Sequence, residues 1–351
     1  MAVPVTVISG PLGAGKTTLV NRLLEGPGGR RLAVVVNDMG AVNVDAELLG
    51  RGTDGVVDLS NGCVCCQLGD DLVEQCDRLA RERDVDCIVV EASGISEPVP
   101  VARTLLDAAG SFRLDTTVSV VDAYGFSKAF DPDEQLPEAA APERPLAAVM
   151  VEQVEFCDVL LLNKCDTLTE GELDRVEATV RELQPRATLH RTTYCDVSPD
   201  AVLGTGRFDS EAARRSPGWK RALRGENTDH GHDHDQPAAV AHGVGSFVYE
   251  RDRPFDPERL DAWLDDPDGS VVRAKGFAYV ASRPEEVVGV SQAGPSVQAG
   301  PIGEWGEDDP RTRLVFIGED LDREALVAEL DGCLADGERG SPATDPFPRT
   351  Q

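Results

Sequence analysis

An apolar, β-branched run from Val3 to Ser9 gives way to Gly10-Pro11-Leu12-Gly13-Ala14-Gly15-Lys16-Thr17 and then to helical spacing from Thr17 to Leu24. No other part of the chain restricts the fold as much as this junction. Its glycines let the backbone curl so that successive amides and a helix N-terminus converge on one point, which suits a phosphate. A Lys and a Thr closing such a turn supply a cation for phosphate oxygens and a hydroxyl for magnesium. Gly10, Gly13, Ala14, Gly15, Lys16, Thr17 and Thr18 are therefore assigned to nucleotide phosphates, with Lys16 and Thr17 also catalytic. The alternative, a Gly-rich turn without a ligand, does not explain the strand before it and the helix after it.

The rest of the first two-thirds repeats the same alternation. Leu32 to Asn37, Val56 to Leu59, Cys87 to Glu91, Thr116 to Asp122, Val159 to Asn163 and Thr188 to Thr192 read as further strands. Leu68 to Arg83, Val99 to Ala109, Leu146 to Phe156 and Glu170 to Leu183 carry helical spacing. Strands alternating with helices imply right-handed crossovers. The expected fold class is α/β: a P-loop NTPase with a mostly parallel sheet and helices on both faces, plus a small α+β C-terminal domain. Residues 1–224 form the nucleotide domain in this reading, and 225–242, rich in His, Asp, Gly and Asn, form a linker. The second domain, 243–335, is expected to hold strands at Gly245 to Glu250, Val271 to Ala281, Glu286 to Ser291 and Arg313 to Ile317, with helices at Pro257 to Leu264 and Asp322 to Leu334. Residues 336–351 are expected to be a disordered tail.

Three further patterns carry chemistry. Asn163-Lys164-Cys165-Asp166 ends a strand, where nucleotide-binding sheets present base-contacting loops. A carboxylate there accepts from both N1–H and the exocyclic amine of guanine, so Asn163, Lys164 and Asp166 are assigned to a guanine base; a helix-initiating Asp is the alternative. Glu91 ends an apolar strand and precedes Ala92-Ser93-Gly94. It suits magnesium binding or the orienting of an attacking water, with Gly94 admitting the γ-phosphate, unless it merely caps the next helix. Gly62-Cys63-Val64-Cys65-Cys66 packs three thiols into four positions. Thiolates favour zinc or Cu(I) over hard cations, so Cys63, Cys65 and Cys66 are metal ligands in this reading; buried small side chains or a redox group are the alternatives. Cys76, Cys87, Cys157, Cys165, Cys195 and Cys333 read as core or incidental, and His190 and His242 as structural.

Taken in order, the Gly10 to Thr17 turn, the Gly-Cys-x-Cys-Cys segment, Glu91 with Gly94, and Asn163-Lys164-x-Asp166 resemble the CobW family of metallochaperone GTPases, of the SIMIBI P-loop class. Arg273 to Gly276, Ser291 to Gly294 and Leu314 to Gly318 resemble the CobW C-terminal domain, so the likeness spans roughly residues 3 to 335. The resemblance implies a GTPase, with GTP/GDP and Mg2+, that binds Zn2+ or alternatively Co2+ and hands it to a client metalloprotein or a cobalamin-pathway enzyme. The rival readings are a zinc store or thiol sensor with incidental hydrolysis, a nickel-enzyme maturation GTPase, and a small-molecule P-loop kinase, which the Asn163 to Asp166 pattern disfavours. One departure stands out. Asn37-Asp38-Met39-Gly40 replaces the family's Asn-Glu-Phe-Gly, so Asp38, shorter by a methylene, is assigned to metal in place of Glu, and Asp45 is either magnesium-side or solvated. His230, His232 and His234, interleaved with Asp233 and Asp235, either gather divalent ions or simply solvate the linker.

Charge narrows the partners. The 351 residues carry a formal net charge of −29. Nucleic acid is not expected as a partner, because phosphate neutralisation needs clustered Lys and Arg. Anionic membranes are disfavoured for the same reason. With 36 Asp, 27 Glu, 29 Arg and 5 Lys, the surface suits concentrated salt, where screening relieves repulsion. No apolar run approaches the roughly eighteen residues that cross a bilayer, and Met1 to Gly10 lacks signal-peptide character, so a cytoplasmic location is expected. A homodimer is compatible with this composition.

Overall fold

The computed structural model describes residues 2–37, 56–58, 67–82, 84–92, 94, 98–108, 110–130, 146–209, 243–266, 268–306, 308–335 and 345–348. Contacts divide the chain into two compact units. One comprises Met1–Ser127, Glu152–Leu173 and Gln184–Pro217; the other comprises Lys128–Val151, Asp174–Leu183 and Gly218–Gln351.

Among the described residues, the first unit is built on seven strands: β1 (Val3–Ser9), β2 (Leu32–Asn37), β3 (Val56–Asp58), β4 (Cys87–Ala92), β5 (Phe112–Asp122), β6 (Val159–Asn163) and β7 (Thr188–Arg191). Their order is β3-β2-β4-β1-β5-β6-β7, and every pairing is parallel. Parallel pairing requires crossovers; α1 (Lys16–Glu25), α2 (Gln67–Glu82) and α3 (Pro98–Asp107) lie within this unit, and α4 (Ala123–Ala129), α5 (Leu146–Glu155) and α6 (Glu170–Leu183) each run across its boundary with the other. Apolar side chains alternate between two cores. Ile8, Val34, Val89, Val118 and Leu161 pack with Leu19, Val20 and Leu23 of α1. Val5, Val7, Val35, Ile88 and Val90 pack with Leu72 and Leu79 of α2 and Leu105 of α3. A strand buried on both faces must be largely apolar, which is why β4 reads Cys-Ile-Val-Val before Glu91 and Ala92 at its C-terminal end.

β5 starts four residues earlier than the expected Thr116. Its register against β1 shifts between Val5 and Thr6, so that Asp115 is the extra residue of a bulge. The sheet tolerates Asp115 there because its Oδ2 accepts from Gly206 N at 3.0 Å and Thr116 Oγ1 at 2.9 Å. The helix α4 was not expected from the sequence; Asp122 Oδ1 caps it, accepting from Tyr124 N and Gly125 N.

The second unit contains an antiparallel sheet of β8 (Val244–Arg251), β9 (Val271–Ala278), β10 (Glu286–Ala293), β11 (Ser296–Glu304) and β12 (Thr312–Glu319), in the order β11-β10-β9-β12-β8. The helices α7 (Pro257–Leu264) and α8 (Arg323–Gly332) cover its core of Phe247, Tyr249, Phe316, Leu260 and Leu330. Both begin at aspartate caps: Asp256 accepts from Glu258 N and Arg259 N, and Asp322 from Ala325 N. β11 escaped the sequence reading because Gly300, Pro301 and Gly303 are poor strand formers; as an edge strand that, among the described residues, pairs with β10 alone, it accommodates them.

The expectation of a disordered tail fails at residues 345–348. Phe347 is buried in the same core, and Asp345 makes paired bonds to the buried Arg283 at 2.6 and 3.1 Å. Arg283 also donates to the carbonyls of Phe347 and Pro348. Burial raises the Asp345 pKa, but the bonds from Arg283 and Ser282 outweigh it and hold the carboxyl below its ordinary value. A buried arginine demands acceptors, and this short segment provides them.

Candidate nucleotide site

The Gly10 to Thr17 turn sits at the C-terminal end of β1, the middle strand of the seven, and leads directly into α1. Gly15 adopts φ 115°, and a Cβ there would lie 2.5 Å from Asn163 Nδ2, so only glycine serves. Lys16 is buried, its Nζ donating to the carbonyls of Gly10 at 2.9 Å and Pro11 at 3.1 Å. The ammonium thus lies inside the curl of the turn. Thr17 Oγ1 donates to Glu91 Oε1 at 2.9 Å. That bond joins residues 74 positions apart because Glu91 pairs in register with Ile8 on the adjacent strand. Thr18 follows on α1 and is exposed.

Gly94 was expected to admit the γ-phosphate. Here it lies against the turn itself, where a Cβ would be 2.7 Å from Leu12 N. Its carbonyl accepts from Nε2 of Gln153, a fully buried residue of α5 that the sequence did not single out.

The Asn163 to Asp166 motif divides into two kinds of residue. Asn163 is 2% exposed and wholly engaged with protein. Its Nδ2 donates to Ala14 O at 2.9 Å, and its Oδ1 accepts from Cys195 N at 2.8 Å and Thr192 Oγ1 at 3.1 Å. It therefore ties the phosphate-binding turn to the loop after β7, where the sequence reading had it facing the base. Lys164 takes a left-handed conformation, φ 60°, and its Nζ pairs with Asp122 Oδ2 at 2.7 Å. Asp166 lies in the 3-10 turn Cys165–Thr167, exposed to solvent.

Cys195, read from sequence as core or incidental, is buried and structural to the site. Its Sγ lies 3.4 Å from Gly15 O, and burial pushes its thiol up to about 12. Nothing in the local sequence signals that role. Tyr194 and Cys195 both have φ 53°, and Tyr194 and Leu12 are exposed at 70% and 80% beside the buried residues of the loop and turn. Burial likewise raises the thiols of Cys76 to about 12 and Cys87 to about 11, which fits core side chains rather than metal ligands. His190 is held below its usual value by burial and then by Arg207.

Asp38, Asp45, Cys63, Cys65, Cys66, His230, His232 and His234 lie outside the described residues. Among the described residues no group of three His, Cys, Asp or Glu side chains converges to hold a metal. Nor is any helix among them long and apolar enough to cross a membrane.

A Lys and a Thr in a Gly-rich turn between the central parallel strand and a helix, with a strand-end carboxylate and an Asn-Lys-x-Asp turn at the same edge, define a P-loop nucleotide-binding protein. Residues 4–191 match the model of the CobW/HypB/UreG nucleotide-binding domain, and 244–334 that of the cobalamin synthesis protein cobW C-terminal domain. The chain belongs to the CobW family. It is 34% identical to "Zinc-regulated GTPase metalloprotein activator 1" of Dictyostelium discoideum, over 94% of this chain and 79% of that protein. To "Zinc chaperone CobW" of Sinorhizobium sp it is 31% identical, over 93% of this chain and 96% of the other. "Zinc chaperone YjiA" of Escherichia coli K12 is 26% identical, over 94% and 98%.

Proposed function

We propose that this chain is a GTP-hydrolysing metallochaperone that carries zinc to a client metalloprotein. The observation that carries the reading is the convergence of the buried Lys16, the Thr17–Glu91 pair and the Asn163 to Asp166 turn at one edge of the parallel sheet. Relatives named as zinc chaperones, similar over nearly the whole chain, support the cargo. In this reading Lys16 neutralises charge developing on the transferred phosphoryl group, and turn amides from Gly10, Gly13, Ala14 and Gly15 hold the phosphates, with Thr18 beside them. Thr17 and Glu91 are hard oxygen donors already 2.9 Å apart, a donor set that fits Mg2+; the ion, when bound, offsets phosphate charge. Glu91 orients the attacking water, and Gly94 senses the γ-phosphate. Asp166 reads guanine, while Asn163 and Lys164 hold its turn.

Cys63, Cys65 and Cys66, with Asp38, take the transferred zinc; cobalt is the alternative cargo. They fall between the phosphate-binding turn and Glu91 in sequence, so the metal ligands are coupled to the nucleotide state in this reading. A nucleotide domain of residues 1–224, a linker of 225–242 and a C-terminal domain of 243–335 complete the reading, in a cytoplasmic, salt-adapted protein whose melting temperature rises from low to molar KCl. A flat or falling melting temperature removes the salt-adapted part alone. The C-terminal match and the zinc-chaperone relatives favour this over a nickel-enzyme maturation role.

Zinc titration against a chromogenic chelator, with a GTP analogue and with GDP, tests the coupling. One zinc per chain is expected, with unequal affinity in the two states and loss of the tight site in Cys65→Ser. Linkage then requires zinc to change GTP-analogue affinity by the same factor. Identical affinities would describe a passive zinc store with unrelated hydrolysis.

A further inference from the structure

We infer that Asp122 is a positioning residue for guanine recognition, holding Lys164 and the turn behind it without touching the nucleotide. Asp122 ends β5 and is the register partner of Asn163 on β6, so its carboxylate stands beside the first residues of the base-reading turn. Both carboxylate oxygens are used. Oδ1 accepts from Tyr124 N at 3.1 Å and Gly125 N at 3.2 Å, fixing the carboxylate to the start of α4. Oδ2 accepts from Lys164 Nζ at 2.7 Å, with the two side chains 21% and 38% exposed.

Lys164 needs such an anchor. A non-glycine residue at φ 60° occupies a sparsely populated conformation and persists only where its surroundings hold it. Its carbonyl accepts from Thr167 N at 3.0 Å and Thr167 Oγ1 at 2.6 Å, which closes the turn carrying Asp166. The backbone is thus pinned from the C-terminal side and the side chain from β5. A lysine held in advance loses no rotamer freedom when the base arrives, so the Asp122 pairing lowers the ordering cost of binding. The contribution appears in affinity for guanine nucleotides and leaves phosphoryl transfer at Lys16 and Glu91 untouched.

This inference rests on the base-reading assignment of Asp166, and its test separates the two. Asp122→Asn keeps an oxygen to cap α4 but removes the charge that holds Lys164. At about 0.1 M KCl, KM for GTP is expected to rise about tenfold with kcat changed by less than about twofold, and the gap to the native protein should narrow toward about 1 M KCl as the native pair is screened. Asp122→Glu, which restores the charge, should recover part of the loss. Should Asp122→Asn melt early, a cycle with Lys164→Met in a labelled-GTP binding assay decides: coupled losses support the pair, and additive losses overturn it. Guanine preference retained with an unchanged KM in Asp122→Asn overturns this inference alone. A fall in kcat at unchanged KM also overturns it, and a native protein that binds ATP and GTP equally overturns both assignments.

Discussion

Truncating Asn163 to alanine is expected to weaken the first unit and its nucleotide site together, because one buried amide serves three partners. Removal strands the Cys195 N–H and the Ala14 carbonyl, whereas Thr192 Oγ1 keeps a second acceptor, Leu162 O, at 3.4 Å. At about 1–3 kcal/mol for each buried group left unsatisfied, the loss is about 2–6 kcal/mol, nearer the lower figure if water enters the vacated space. For a unit of this size, that lowers the melting temperature by about 4–12 °C, taking roughly 2 °C per kcal/mol as the smaller conversion. GTP affinity should fall as well, since Ala14 belongs to the phosphate-binding turn and the Cys195 thiol rests on Gly15. Asp166→Ala is the contrasting variant. Its side chain is exposed, so stability should stay within about 0.5 kcal/mol while GTP binding weakens. Thermal and urea unfolding of nucleotide-free protein, paired with labelled-GTP titration, reads both quantities. An Asn163→Ala protein that unfolds at the native midpoint would refute the reasoning, since these three bonds would then carry no net stability.

Two further outcomes concern the second unit. Phe347→Ala should cost about 3–5 kcal/mol in urea unfolding, as for other buried phenylalanines; a change under about 1 kcal/mol would mean that residues 345–348 are not packed in solution. Asp331 is held below its ordinary value of 3.8 by the bond from Arg251, against opposing burial and with help from Tyr249. A depressed folded pKa stabilises fully above the unfolded value, so this contribution is present above about pH 4 and is lost as pH falls through the lower folded value. Tryptophan fluorescence during acid titration should show Asp331→Asn with a shallower loss of stability in that window, and an acid transition identical to the native one would contradict it.

Much of this protein was legible in the sequence because the deciding forces act between near neighbours. The turn from Gly10 to Thr17 declares itself within eight residues, and the helix read over Pro257 to Leu264 has those bounds in the fold. Strand and helix periodicities are likewise local, and they were enough for a mostly parallel α/β sheet followed by a small α+β domain, whose antiparallel strand order only the structure supplied. What tertiary structure alone decided lies in pairs far apart along the chain. Asn163 meets Ala14 across 149 positions, and Thr17 meets Glu91 across 74, the latter because sheet register sets Glu91 beside Ile8. Asp122 with Lys164, Cys195 with Gly15, Gln153 with Gly94, and Arg283 with Asp345 are likewise distant along the chain. Side-chain type limits what such residues can donate or accept, but the partner is chosen only when the strands close. An amide that sequence reading directed at a nucleobase is spent, in the fold, on holding two loops together.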